Sequence, residues 1–164
     1  MERSDEPGLE RIRIQLAADA PFRFESLWAE RLGDDRYRLR NTPFVAKDLN
    51  FHDIVRATSH VPNELPSINK VVERSGHKTL RIFFADEPLP STIDEVLGHL
   101  NEMNANYEKG KDRFYAVDVR PEADYRSVCD YLWTLQQQGV LAYETGPTRE
   151  DGPDGWQSWG KGHP

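Results

Sequence analysis

The chain has 164 residues, of which 37% are hydrophobic and 30% charged, with a net charge of −7 at neutral pH. That length holds one compact domain or two small ones sharing an interface. The apolar content excludes a wholly disordered chain, and the acidity argues against a general nucleic-acid binder.

No apolar run approaches the ~18 residues of a membrane span. The charged start, Met1 to Leu9, lacks the apolar stretch of a signal peptide. Cys129 is the single cysteine, so neither an intramolecular disulfide nor a multi-cysteine metal site is possible. These features predict a cytoplasmic protein without cofactor or metal. The net charge hides an asymmetry. Glu10 to Arg81 carries 13 Lys and Arg against 10 Asp and Glu, and Ile82 to Pro164 carries 7 against 15. Halves of opposite sign suit a protein that meets two kinds of partner.

The first half reads as strands. Ile12, Ile14 and Leu16 alternate with Arg11, Arg13 and Gln15, the period of a half-buried strand. A second run follows from Phe22 to Ala29. After a turn at Gly33-Asp34-Asp35, Tyr37 and Leu39 alternate with Arg36, Arg38 and Arg40. Asn41-Thr42-Pro43-Phe44 breaks that strand, and Asp53 to Thr58 and Ile68 to Arg74 supply two more. Short strands without a credible helix predict a small SH3-like β-barrel over residues 10–74, after a flexible start over 1–9.

The second half, residues 75–145, changes period. Thr79 to Ala85 reads as a strand. Ser91 is the expected N-cap of a helix whose stripe is Ile93, Val96, Leu97, Leu100 and Met103. Asn104 to Glu108 and Arg113 to Val119 form a hairpin. Pro121 opens a second helix lined by Tyr125, Val128, Leu132 and Leu135, Gly139 stops it, and Val140 to Glu144 is a last strand. The order β-α-β-β-α-β is that of a ferredoxin-like unit, making the whole an α+β protein. Residues 146–164 hold five Gly and three Pro, a composition that predicts a mobile tail.

One set of motifs is familiar. Leu27-Trp28, Tyr37-x-Leu39-x-Asn41-x-Pro43-Phe44-x-Ala46, Asp53-x-Val55 and Ser75-Gly76-His77-x-Thr79-x-Arg81 resemble a bacterial domain-of-unknown-function family, number 4265. The resemblance spans roughly Phe24 to Tyr143. It implies a compact bacterial protein and carries over no activity and no catalytic residue.

Ser75, His77 and Arg81 form the first candidate site, with a hydroxyl, a base and an anion holder. On a strand, however, residues two apart sit ~6–7 Å from each other, beyond the reach of a nucleophile and its base. The expected arrangement is a positive-φ turn at Gly76, with Ser75 and His77 satisfying backbone groups around it. Asn41 and Pro43 fix a bend, and Phe44 is expected to plug the barrel end. His52 beside Asp53 resembles an acid–base pair, but neighbours on a strand face opposite sides. Asp118, flanked by Val117 and Val119, is expected to face solvent.

Arg36, Arg38 and Arg40 form a one-sided ladder suited to phosphate or carboxylate. Trp156 and Trp159 stand in the Gly/Pro tail, as an anchor to the body or a recognition segment. Asp94, Glu95, Glu102, Glu122, Asp124 and Asp130 flank the apolar helix stripes. Three functions follow in order of preference. The first is a non-catalytic protein-binding module (regulatory, immunity or antitoxin-like) that offers this acidic surface, Glu95 and Glu102 included, to a basic protein. The second is a nucleic-acid or ribosome-associated protein using the Arg face, and the third an enzyme with a small-substrate site in the cleft between the halves.

Overall fold

The computed structural model describes residues 7–145. The element order is β1 (Leu9–Gln15), β2 (Phe24–Gly33), β3 (Arg36–Leu39), β4 (Ile54–Thr58), β5 (Ser67–Glu73), β6 (Lys78–Phe84), α1 (Pro90–Glu102), β7 (Ala105–Lys109), β8 (Phe114–Val119), α2 (Tyr125–Gln137) and β9 (Leu141–Thr145). The described residues thus form a mixed α/β fold with two helices and two sheets, of five and four strands. Neither helix is long and apolar enough to cross a membrane.

The first sheet is a meander from β1 to β5, and it closes on itself because β1 also meets β5 in parallel through Arg13 and Ser67. Alternation decides what it encloses. Ile12, Leu27, Ala29, Tyr37, Leu39, Val55, Ala57 and Ile68 form one buried cluster, joined by Ala46 and Leu49 from the β3–β4 connection.

The second sheet has the order β7-β8-β6-β9. One face is apolar: Leu80, Ile82, Phe84, Val117 and Val119 pack with Val96, Leu97 and Leu100 of α1 and Val128 and Leu132 of α2. The other face is polar. Register sets Thr79 opposite Asp118, and Arg81 opposite Ala116 and Glu144.

Both helix starts differ from the sequence expectation. α1 begins at Pro90 after Leu89, which gives no side-chain cap, so Ser91 lies inside the first turn. Proline at the first helical position needs no N–H partner and has its φ already set. α2 begins four residues after Pro121. Asp124 caps it, accepting from the Ser127 amide at 3.1 Å and the Ser127 hydroxyl at 2.8 Å. An N-cap carboxylate satisfies orphan amides that proline cannot.

Candidate functional site at the seam

The β3–β4 connection lies against the polar face of the second sheet, and alternate residues from 75 to 81 reach it. The Ser75 hydroxyl donates to the Phe51 carbonyl at 2.6 Å. The Thr79 hydroxyl donates to Asn50 Oδ1 at 2.9 Å. The Arg81 guanidinium donates to the carbonyls of Pro43, Phe44 and Ala46. On the other side of this segment, the Glu25 carboxylate accepts from the amides of Phe44, Val45 and Ala46 at 2.7, 3.0 and 2.7 Å. The backbone of 43–46 is therefore held between a guanidinium on its carbonyls and a carboxylate on its amides.

Arg81 is 2% exposed. Burial lowers its ionisation from the usual guanidinium range, with Glu144 and then Glu25 opposing that shift. Glu144 lies 3.7 Å away. Arg81 is thus spent on the seam rather than presented as an anion holder. Phe44 also departs from expectation. Instead of plugging the first sheet, it meets Phe114 of β8 with ring centroids 5.9 Å apart, because its backbone is held by Arg81.

Gly76 has φ of 88°, and a Cβ there would come within 3.4 Å of the Pro121 ring. The turn it allows lets the Ser75 hydroxyl accept from the His77 amide at 3.1 Å. That bond uses the His77 backbone, so Ser75 Oγ and the His77 ring do not form a nucleophile–base pair. Asp53 anchors the same corner. It is fully buried, accepting from the amides of Ser75 and Asn50, each at 2.9 Å, and from Arg74 at 3.2 Å.

Asp118 corrects the sequence expectation. It is 4% exposed, and its Oδ1 lies 2.7 Å from His77 Nδ1. Alternation correctly placed it opposite Val117 and Val119, but that second face is covered by the first half of the chain. The missed signal was parity. Thr79 and Arg81 on β6 share Asp118's face, so three polar groups sit together on a strand pair too apolar elsewhere for a solvent face.

His52, at φ of 66°, is in the left-handed region in the turn before β4. Its ring stacks on Phe51 at 4.0 Å and meets the His77 ring at 5.4 Å. Burial lowers its ionisation most, followed by the charges of His77, Arg40 and Arg38, against Asp118. An open pocket of about 210 Å³ is lined by Arg38, His52, Arg74, Ser75 and His77, together with Ile54 and Glu73.

The arginine ladder is not uniform. Arg36 is exposed, while Arg38 and Arg40 are half-buried and lie 3.2 and 3.7 Å from the same Glu30 carboxylate oxygen. Glu95 and Glu102 are exposed on α1, away from the seam, and Glu102 is 3.5 Å from His99. Trp156 and Trp159 lie outside the described residues.

The pattern of one family, described as a domain of unknown function (DUF4265), matches residues 25–143. The chain belongs to that family. The matched DUF4265 stretch contains both partners of the seam, the 41–53 connection and the 75–81 segment. A solved structure of a hypothetical protein from Neisseria gonorrhoeae has the same fold, with a TM-score of 0.73, 16% identity, and coverage of 84% of this chain and 94% of that one. No curated protein matches.

Proposed function

We propose that this DUF4265 protein is a non-catalytic binding module, regulatory or immunity-like, which presents its acidic helix layer to a basic protein. The observation that carries this is the distribution of charge. Asp94, Glu95, Glu102, Glu122, Asp124 and Asp130 are all exposed on or beside α1 and α2, and those helices carry a single Lys or Arg, Arg126. His99 and Tyr131 meet across the helices at 4.5 Å, so the carboxylates share one layer. Such a field accelerates encounter with a basic surface. We read the second half as a ferredoxin-like unit, supported by its β-α-β-β-α-β order with β8 and β6 central, and the closed first sheet as a small SH3-like barrel.

The spending of Ser75 and Arg81 on backbone groups supports a non-catalytic role for the motif. Glu30 beside Arg38 and Arg40 weakens the nucleic-acid alternative. The test is kinetic. A partner recovered from the native host should associate faster as salt is lowered, and Glu95→Lys with Glu102→Lys should slow association while the fold stays intact. Unchanged association in that double variant at low salt refutes the reading.

A further inference from the structure

The helix layer leaves the seam pocket unexplained. Its chemistry is unlike that of Ser75, Thr79 and Asp53 around it, whose polar contacts close on other protein groups. His77 is held from one side only. Nδ1 meets Asp118 Oδ1 at 2.7 Å, and a carboxylate there can only accept, so Nδ1 carries the hydrogen. That fixes the ring and leaves Nε2 with no hydrogen bond among the described residues, an acceptor for a protonated oxyanion in the neutral ring and a donor to an anion once the ring carries both hydrogens.

Three donor side chains, Arg38, Arg74 and His52, border the same space. The hydrogen bonds of Arg74 to Asp48 and Asp53 both use Nη1, and that of Arg38 to Glu30 also uses Nη1. Each guanidinium therefore keeps Nε and Nη2 for another acceptor. His52, at positive φ in the turn before β4, brings its ring to the pocket beside His77. Asp53 is buried and already bonded to Arg74, Ser75 and Asn50, whereas Glu73 is exposed and free to turn toward water.

We propose that this pocket binds a small oxyanion, a phosphate or carboxylate group, through Arg38, Arg74 and the imidazoles of His52 and His77. Its volume of about 210 Å³ holds one such group with a few waters or a short substituent, and the body of a larger ligand would extend into solvent. Arg38 links the first sheet to the site and His77 the second, so the ligand would bridge both halves of the chain.

The test follows the histidine ring ¹⁵N signals of the full chain at low ionic strength during separate titrations with inorganic phosphate and acetate. Saturable shifts at both His52 and His77 are expected with at least one anion, and the two arms assign phosphate or carboxylate. A bound anion offsets the neighbouring cationic charges, so the ionisation of His52 should move upward on saturation. Arg38→Gln and His52→Asn should each weaken binding roughly tenfold or more, the cost of one charge-assisted hydrogen bond. Asparagine tolerates the positive φ at 52, which keeps that variant folded. Lys111→Gln, an equal loss of charge at an exposed position in the β7–β8 turn outside the pocket, should bind as the parent does. Absence of saturation with both anions, or unchanged affinity in both pocket variants, overturns the proposal.

Discussion

The central strands of the four-stranded sheet bury residues on both faces, by opposite chemistry. Toward the helices, Leu80, Ile82 and Phe84 meet an apolar stripe whose contacts are non-directional and tolerant of small shifts. On the other face, Thr79 and Arg81 bond to Asn50 and to backbone carbonyls of the first half, and Asp118 holds His77, each through a directed bond. The same strands make both faces, since successive side chains point opposite ways. The apolar face supplies burial and the polar face fixes the register of one half on the other. Buried polar networks of this kind are costly to leave half satisfied.

The largest expected effect tests that division directly. Arg81→Met keeps the volume but leaves the carbonyls of Pro43, Phe44 and Ala46 without their donor, and should cost about 3–5 kcal/mol in urea denaturation. Leu132→Ala on the other face should cost a similar 2–5 kcal/mol through its cavity. Amide exchange separates the two lesions. Arg81→Met should speed exchange at Phe44, Val45 and Ala46 selectively, whereas Leu132→Ala should follow global unfolding. A loss below about 1 kcal/mol in Arg81→Met would show that the seam is not held by this guanidinium.

The next effect is alkaline and belongs to the helix-side core. Burial pushes the Cys129 thiol from 9.0 up to about 12, and burial likewise raises the Tyr143 hydroxyl. Above pH 9 the unfolded thiol loses its proton while the folded one keeps it. The stability is therefore complete below that value and falls as pH rises toward 12. The slope should be about 1.4 kcal/mol per pH unit for the thiol alone. Cys129→Ala should flatten the curve between pH 9 and 10, below the range where the raised hydroxyls of Tyr37, Tyr115, Tyr131 and Tyr143 add their own loss, with urea midpoints from pH 8 to 11 as the measurement. Rapid modification of native Cys129 by a thiol reagent at pH 9 would contradict its burial.

What was legible in the sequence follows from the same contrast. Period-2 alternation locates the strands of the first half, and β-rich composition with two helical stripes gives the order β-α-β-β-α-β of the second, because each reports on one element and its own burial. Gly76 and Gly139, both at positive φ, were legible as turn residues for the same local reason. The helix starts were misplaced because Pro90 and Asp124 compete with equally plausible neighbours. Asp118 and Arg81 were misjudged because alternation tells which face a residue takes and not what covers that face. Glu25 carries no local sequence signal of its role. Its role depends on amides 19 to 21 residues away that belong to no regular element.

A smaller effect concerns the turn that aims the seam residues. Gly76→Val combines a positive φ with a Cβ 3.4 Å from Pro121, and should destabilise by about 1–2 kcal/mol. Ser75→Ala, which loses the bonds to Phe51 and His77 at a half-buried position, should fall at or below the low end of that range. Thermal denaturation of the two variants side by side checks the ranking, and the reverse order would place the turn's stability in the hydroxyl rather than in the glycine.

The smallest expected effect is acidic and belongs to the polar side. The ionisation of His52 is lowered by burial and then by His77, Arg40 and Arg38, with Asp118 opposing. In the unfolded chain His52 takes up its proton near 6.5, while in the folded chain it resists until lower pH. The unfolded state therefore binds more protons in that window, and stability rises with pH there. The contribution is complete above 6.5 and is lost as pH falls through the lowered folded value. Half-exposed groups give shallow slopes, so the loss should be gentler than the alkaline one. His52→Asn should flatten the curve between pH 6.5 and about 5, above the range where most carboxylates begin to protonate. Cys129→Ala should leave this limb unchanged, as His52→Asn should leave the alkaline one. Each limb would then report one face of the sheet, and an acid limb that persisted in His52→Asn would assign it to another group at the seam.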